Sequence, residues 1–307
     1  MANSTHFTTI ILTGYFEVGQ TKYIYFALLV ILYLIIILAN LLLIVVIWLE
    51  RSLHEPMYIF LCCLSFNELY GSAAFFPFIL TNLLSTSNEV TIASCYVQIY
   101  CLYTYGAMEF GSLAIMSYDR YIAICYPLLY SSIMTCNRVC ILIVLVCVLS
   151  FLKFTINIFL SIRLELCGNV MEKVWCDNYL LVKLACSDTS MNNIYGIFGS
   201  ITTIVLPLML ILYSYIMIMR VCLNSPIETF QKAMTTCAPQ LVSLVNFSVG
   251  CLFEIFSSRF DKIHMPPVLR VIISVYFVIC PPLLNPIMYG IRLSKIKIAF
   301  KKHIYLK

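Results

Sequence analysis

The sequence predicts an all-α membrane protein: a seven-transmembrane helix bundle with a short amphipathic C-terminal helix. Three observations carry this reading. First, 62% of the 307 residues are hydrophobic and only 11% are charged, where a soluble globular chain carries about 25% charged residues. Second, the apolar residues gather into continuous runs near the ~20 residues that a helix needs to cross a bilayer core. Third, the runs are unbroken rather than alternating, which points to helices and away from a membrane barrel. No repeat, low-complexity tract or separate soluble module interrupts them, so residues 1–307 read as one seven-transmembrane domain.

The spans follow in order. The first covers about 24–49 without a charge, and the second about 57–80 with Glu68 inside it. The third covers about 92–124 and holds Glu109; the fourth, about 139–162, holds Lys153. The fifth covers about 193–220, inside the uncharged stretch between Asp188 and Arg220. The sixth, about 232–256, and the seventh, about 268–290, sit between the charge pairs Lys232/Glu254 and Arg270/Arg292. Pro77, Pro207 and Pro281-Pro282 fall inside spans, where a bundle tolerates them as kinks. From about 292 to 302, bases alternate with Leu293, Ile296, Ile298 and Phe300, the pattern of a basic amphipathic helix lying on a lipid surface.

Orientation is read from lysine and arginine in the loops. With the N-terminus outside, 11 basic residues fall on the cytosolic side and 7 on the outer side. Asn3-Ser4-Thr5 is a glycosylation sequon that only an outer N-terminus could use. A second sequon at Asn246 lies within the sixth span and is inaccessible. No basic start followed by a short apolar core is evident near the N-terminus, so the first span is expected to act as its own membrane signal. Most of the fifteen cysteines lie in apolar runs and act there as small hydrophobes. Cys95, Cys167, Cys176 and Cys186 are different, because all four fall on the outer side. They can form two disulfides, and the residues alone leave three connectivities open.

Depth along the helices groups the buried polar residues. At 1.5 Å per residue, Glu109 and Glu68 each lie roughly 16 Å from the cytosolic edge, Asn40 roughly 15 Å and Asn285 roughly 10 Å. Lone carboxylates facing lipid are costly. Two facing each other must share a proton or hold a cation, so Asn40, Glu68, Glu109 and Asn285 are a candidate sodium or proton site. The alternative is hydrogen-bonding glue between helices. A second feature is Met116–Cys125, MSYDRYIAIC, where Asp119 and Arg120 stand at the end of a long apolar run. Enzyme chemistry finds no support. His6, His54, His264 and His303 lie outside the spans, and no zinc-protease, phosphate-loop or nucleophile-elbow motif occurs. Cys62-Cys63 and Cys136/Cys140 give no four-ligand metal set. The net charge of +5 is no nucleic-acid signature.

Several motifs resemble, in order and from end to end, those of the vertebrate olfactory (odorant) receptors of the rhodopsin-like G-protein-coupled class. Leu53-His54-Glu55-Pro56-Met57-Tyr58 is similar to the family's first inner loop, and Met116–Cys125 to its third-helix signature. Ser214-Tyr215, Lys232–Cys237 and Pro281–Tyr289 resemble signatures of helices five, six and seven. Cys167, Cys176 and Cys186 match its three-cysteine outer loop. The resemblance implies disulfides Cys95–Cys176 and Cys167–Cys186. It implies an inactive-state pair of Asp119 and Arg120, with Tyr121 in the same signature. Tyr215 and Tyr289 would receive Arg120 in the active state, and Asn285-Pro286 belongs to the helix-seven signature. Glu68 stands where the family usually has Asp, Gln240 where many members have His, and Ala39 where Gly precedes Asn40.

By that resemblance the chain is an odorant receptor of the plasma membrane. It spans many times, with its N-terminus extracellular, and resides in the cilia of olfactory sensory neurons. Its partners are a small-molecule odorant, membrane lipid and a heterotrimeric G protein of the olfactory stimulatory type. It carries no cofactor beyond a possible sodium ion. Ligand contacts are expected in the outer half of the bundle: Leu102, Tyr103, Gly106 and Ala107 on the third span, Gly199, Ser200 and Thr203 on the fifth, and Ser248, Cys251 and Ile255 on the sixth. No acid lies between Tyr96 and Ala107, which argues against an amine anchor there. No lysine lies between Arg270 and Arg292, which argues against a retinal Schiff base. Lys153 either snorkels outward or attracts an acidic ligand. The alternatives are the same fold sensing a non-olfactory metabolite, or an ion transporter using the buried carboxylates. A transporter would show inverted repeats and broken helices, and neither is visible.

Overall fold

The computed structural model describes residues 7–15, 21–259 and 267–305. Asn3, the expected glycosylation site, lies outside them. Long helices occur where the apolar runs predict them: α1 (Lys22–Leu49), α2 (Pro56–Leu84), α3 (Ile92–Cys125), α4 (Cys136–Ile162), α5 (Ser190–Leu223), α6 (Ile227–Arg259) and α7 (Pro267–Arg292). A shorter α8 (Ser294–Tyr305) follows. Five of these, α1, α2, α4, α5 and the Ala233–Ile255 part of α6, are each long and apolar enough to cross a membrane. α3 is less apolar because it is the central helix, touching α2, α4, α5 and α6. It buries Gln98, Thr104, Glu109, Ser117 and Asp119. Leu34, Leu38, Leu145, Leu152, Leu206 and Met209 point outward from α1, α4 and α5. Apolar surface outside and polar groups within is the arrangement a lipid solvent selects.

Local chemistry sets the helix ends. Thr91 Oγ1 accepts from Ser94 N at 3.2 Å to start α3, and Thr135 Oγ1 from Arg138 N at 3.4 Å to start α4. Pro56 opens α2, where its missing N–H costs nothing. Inside helices the prolines free carbonyls that other helices use. Pro286 cannot bond Pro282 O, which accepts Asn40 Nδ2 at 2.9 Å and so joins α1 to α7. Pro281 likewise frees Phe277 O, which faces Tyr105 OH at 3.5 Å. In α5 the fifth span is not one regular helix, since Ile201–Val205 forms a π-helical turn. Pro207 stands just beyond and cannot bond Thr203 O, which gives the turn its cause.

The end of the bundle carrying the disulfides also carries a small sheet that the span pattern did not predict. Strand β1 (Thr9–Leu12) pairs antiparallel with β2 (Glu89–Thr91) and parallel with β3 (Val170–Met171). Its alternation buries Ile10 and Leu12 against the core. Tyr15 OH bonds Val174 O at 2.5 Å, and burial pushes its phenol well above the ordinary range. The disulfides are Cys95–Cys176, which fixes the 163–189 loop on α3, and Cys167–Cys186 within that loop. At the opposite end, Leu293, Ile296 and Ala299 bury one face of the chain entering and forming α8, while Ile298 stays exposed. Lys295 and Lys302 reach Glu55 and Glu50 at 2.5 and 2.8 Å.

Candidate functional site

The functional groups fall into three tiers along α3. The first is a cavity of about 180 Å³ at the disulfide end, between α3, α4, α5 and α6. In another protein a void of about 150 Å³ takes up benzene, so this one suits a small organic molecule. Trp175, Asp177 and Asn178 of the 163–189 loop roof it, and Phe110 lies at its base. Nine of the ten sequence-chosen positions line it: Leu102, Tyr103, Gly106, Ala107, Gly199, Ser200, Thr203, Cys251 and Ile255. Ser248 does not. Its neighbour Phe247 takes the inward place on α6, packing on Phe110 at 4.9 Å and Tyr105 at 5.9 Å between ring centres.

The roof contains a charged cluster that sequence reading missed. Lys173, buried with 5% exposure, bonds Glu254 of α6, and its Nζ lies 2.8 Å from Ser258 Oγ and 3.9 Å from Asp177 Oδ2. Ser258 Oγ in turn lies 3.2 Å from Asp177 Oδ2, and Lys173 sits over the Trp175 ring at 5.3 Å. Arg259 stacks on Tyr179 at 4.8 Å. These contacts pin the loop to the end of α6. The sequence marked Glu254 only as the limit of an uncharged stretch, and no spacing rule joins positions 81 apart.

The second tier is the carboxylate layer. Asn285 Nδ2 donates to Glu68 Oε1 at 2.5 Å and lies 3.3 Å from Glu109 Oε1. Asn67, which sequence reading passed over beside Glu68, donates to Glu109 Oε2 at 3.0 Å and to Tyr105 O at 3.1 Å. Gly71 lets this happen, since a Cβ there would sit 2.5 Å from the Tyr105 ring. Glu68, Glu109 and Asn285 thus meet, all at 1% exposure or less. Asn40 does not join them through its amide nitrogen, which is spent on Ile36 O at 3.0 Å and on the Pro282 carbonyl. Glu68 Oε2, Asn67 Oδ1, Asn285 Oδ1 and Ser72 Oγ are buried without a hydrogen-bond partner. An all-oxygen set with orphaned acceptors fits a hard monovalent cation or a shared proton.

The third tier is the Asp119–Arg120 pair. Arg120 bonds Asp119 through both Nε, at 3.0 Å, and Nη2. Tyr130 OH donates to the second carboxylate oxygen at 2.8 Å. Burial, then the Asp119 charge, pushes the Tyr130 phenol far above its ordinary value, so it remains a donor. Tyr215 and Tyr289 are inward-facing with unpartnered hydroxyls. Tyr121 instead turns toward Tyr126, 3.4 Å between hydroxyls, and Pro286 is buried in α7. Gln240 Nε2 bonds Leu113 O at 2.7 Å and so ties α6 to α3 between the second and third tiers.

Comparison with known proteins agrees with this architecture. A family model described as "Olfactory receptor" matches residues 29–307. The chain is 34% identical to olfactory receptor 1496 of Rattus norvegicus, over 97% of this chain and 96% of that one. It is 35% identical to olfactory receptor 1E16 of Mus musculus, covering 98% and 95%. It is also 35% identical to olfactory receptor 51I1 of Homo sapiens, covering 90% and 88%. The crystal structure of squid rhodopsin shares the fold with a TM-score of 0.76 at 19% identity, over 96% of this chain and 85% of that one. A family match over residues 29–307, relatives above 30% identity and a rhodopsin-like seven-helix fold together mean that this chain belongs to the olfactory receptor family, as a multi-pass membrane receptor rather than an enzyme.

Proposed function

We propose that this receptor binds a small-molecule odorant in the cavity below the Trp175 roof and activates a heterotrimeric G protein of the stimulatory type at the opposite end. The carrying observation is the alignment of three tiers on one helix: cavity, carboxylate layer and Asp119–Arg120 pair. The ligand shifts the equilibrium only by its differential affinity for two conformations. Phe247 is the mechanical link. It stands on α6 between Phe110 at the cavity base and Tyr105, whose carbonyl bonds Asn67 of the carboxylate layer.

In the resting state Asp119, itself held by the Tyr130 hydroxyl, holds Arg120, and Gln240 holds α6 against α3. In the active state Arg120 leaves Asp119 for Tyr215 and Tyr289, whose unpartnered hydroxyls can accept it. The middle layer binds a sodium ion or shares a proton while the receptor rests. The disulfides, sheet and roof face the outside, an oxidising side that keeps disulfides formed. The basic α8 lies on the inner leaflet, and the cell surface is that of olfactory cilia. A cyclic-AMP reporter in cells, run with an odorant panel, tests the reading. An odorant-evoked signal lost in Arg120→Ala is expected. A signal of full size in Arg120→Ala at equal surface expression refutes the switch.

A further inference from the structure

We propose that the cavity recognises a small organic acid, held as its carboxylate by Lys153 of α4 with Asn157 one turn above it. This rests on the reading of the cavity as the ligand site and names the class of ligand. Lys153 lies ten residues from Arg163 at the end of α4, roughly 15 Å into the span. A cation at such depth normally faces a partner of opposite charge. Among the described residues no carboxylate lies within ion-pair distance of it. Its Nζ has only two neutral hydroxyls, Thr203 Oγ1 at 2.5 Å and Thr202 Oγ1 at 3.3 Å, with the Phe154 ring 5.6 Å away.

The lysine does not snorkel. The π-helical turn brings adjacent threonines, which a regular helix would splay apart, onto one ammonium. Tyr195 OH bonds Lys153 O at 2.9 Å and fixes this stretch of α4 against α5. Lys153 and Asn157 are four residues apart on one helix face, and both line the cavity. Asn157 is 7% exposed, and its buried Oδ1 has no hydrogen-bond partner. Turned over, the same amide presents N–H groups to a second carboxylate oxygen. The cavity's acids do not compete, because Asp177 and Glu254 are engaged by Lys173 in the roof. With Arg259, which also lines the cavity, the roof sets two cations, Lys173 and Arg259, against the two acids, so Lys153 is the one positive charge left over. Leu102, Phe110, Phe154 and Ile204 supply an apolar wall for the acid's tail.

The test uses the full-length receptor and four probes, hexanoate, octanoate, benzoate and cyclohexanecarboxylate, each beside its methyl ester and alcohol. Two readouts run in parallel: the cyclic-AMP reporter, and thermal unfolding of purified receptor in nanodiscs, which needs no G protein. At least one carboxylate is expected to raise the unfolding temperature and to outperform its ester and alcohol. Lys153→Met should weaken it about tenfold to a hundredfold, as loss of a charge-assisted bond does. Lys153→Arg should keep a measurable part. Lys153→Met should fold without ligand, since it removes a part-buried ammonium that only two hydroxyls solvate, and surface labelling checks this. Carboxylate stabilisation without any cyclic-AMP signal would leave this inference standing and sink the coupling proposed above. Response to esters or alcohols alone would do the reverse. A carboxylate that stabilises Lys153→Met as well as wild type, or no stabilisation by any of the four, overturns the assignment.

Discussion

Two buried ionic clusters lie on either side of Phe247, and they are built on opposite plans. The roof cluster contains its own counter-charge: Lys173 faces Glu254 and Asp177, Ser258 fills the remaining position, and Arg259 beside Tyr179 brings the second positive charge. The middle layer has two carboxylates, Glu68 and Glu109, held only by the amides of Asn67 and Asn285, and among the described residues no cation joins them. A cluster that neutralises itself needs nothing from solution and acts as a fastener between loop and helix. A cluster left with unpartnered acceptors must take up a proton or an ion, so its occupancy depends on conditions and can differ between conformations. The receptor thus keeps its fixed charges at the roof and its variable ones at mid-bundle.

The largest effect should come from breaking the fastener on one side. Lys173→Met strands two buried carboxylates, and removing one partner of a buried ion pair typically costs about 3–5 kcal/mol. The expected result is a large drop in unfolding temperature of the purified receptor, with loss of surface expression. The double change Lys173→Met with Glu254→Gln should recover much of it, because the stranded charge on α6 is gone. A loss below about 1 kcal/mol for Lys173→Met, the size of an exposed pair, would erase the distinction between the two clusters.

The middle layer should respond differently. Glu109→Gln removes one of two like charges while keeping an oxygen for Asn285, so intrinsic stability should hold or rise. What it should lose is dependence on sodium. An ion that binds only the folded receptor stabilises it by about 1.4 kcal/mol at ten times its Kd, a shift of a few degrees in a chain of this size. Wild type should show that shift between potassium and sodium buffers, and Glu109→Gln should not. Equal shifts in both would show that Glu109 holds no ion and would reduce the layer to a shared proton or to helix-joining hydrogen bonds.

How far the sequence reveals each cluster follows from the same contrast. Glu68, Glu109 and Asn285 are conspicuous because a charge or amide inside an apolar run is rare, and helical rise converts their positions into a common depth. Asp119 and Arg120 are legible through a contiguous motif, and Cys95 with its loop partners through the pattern of outer cysteines. The roof is not legible. Lys173, Asp177 and Ser258 are ordinary in a polar loop or at a helix end, and only the fold of the loop, fixed on α3 by Cys95–Cys176, brings them together. The sheet escapes for a related reason, since strands β2 and β3 are three and two residues long and carry little period. Ser248 is expected on the cavity as a sixth-span position, and bulk decides otherwise, because Phe247 fills that direction. Lys153 was visible as an anomaly, but its partners depend on a π-helical turn that no periodicity announces.

The smallest effect should arise where water does the neutralising. Lys295–Glu55 and Lys302–Glu50 join α8 to the chain around α1 and α2, yet the lysines and Glu55 are each about half exposed. The bond from Lys302 holds the Glu50 carboxyl below its ordinary value, and the Glu55 bond holds the Lys295 amine above its own. A lowered carboxylate adds stability at neutral pH and loses it as pH falls below the ordinary carboxylate value, near about 4.3. A raised lysine adds stability at neutral pH and loses it only as pH climbs past the ordinary lysine value, near about 10.4. Between those limits both pairs are fully formed, so stability from this region should be flat with pH. Lys295→Met should cost less than about 1 kcal/mol, and that small cost should vanish in high salt, where the Debye length shrinks to about 3 Å at 1 M. The Lys173→Met loss should persist in the same salt, because a buried pair is screened far less. Unfolding curves of both variants at low and high salt separate the cases, and a Lys173 effect that salt also abolishes would mean the roof is as wet as the tail.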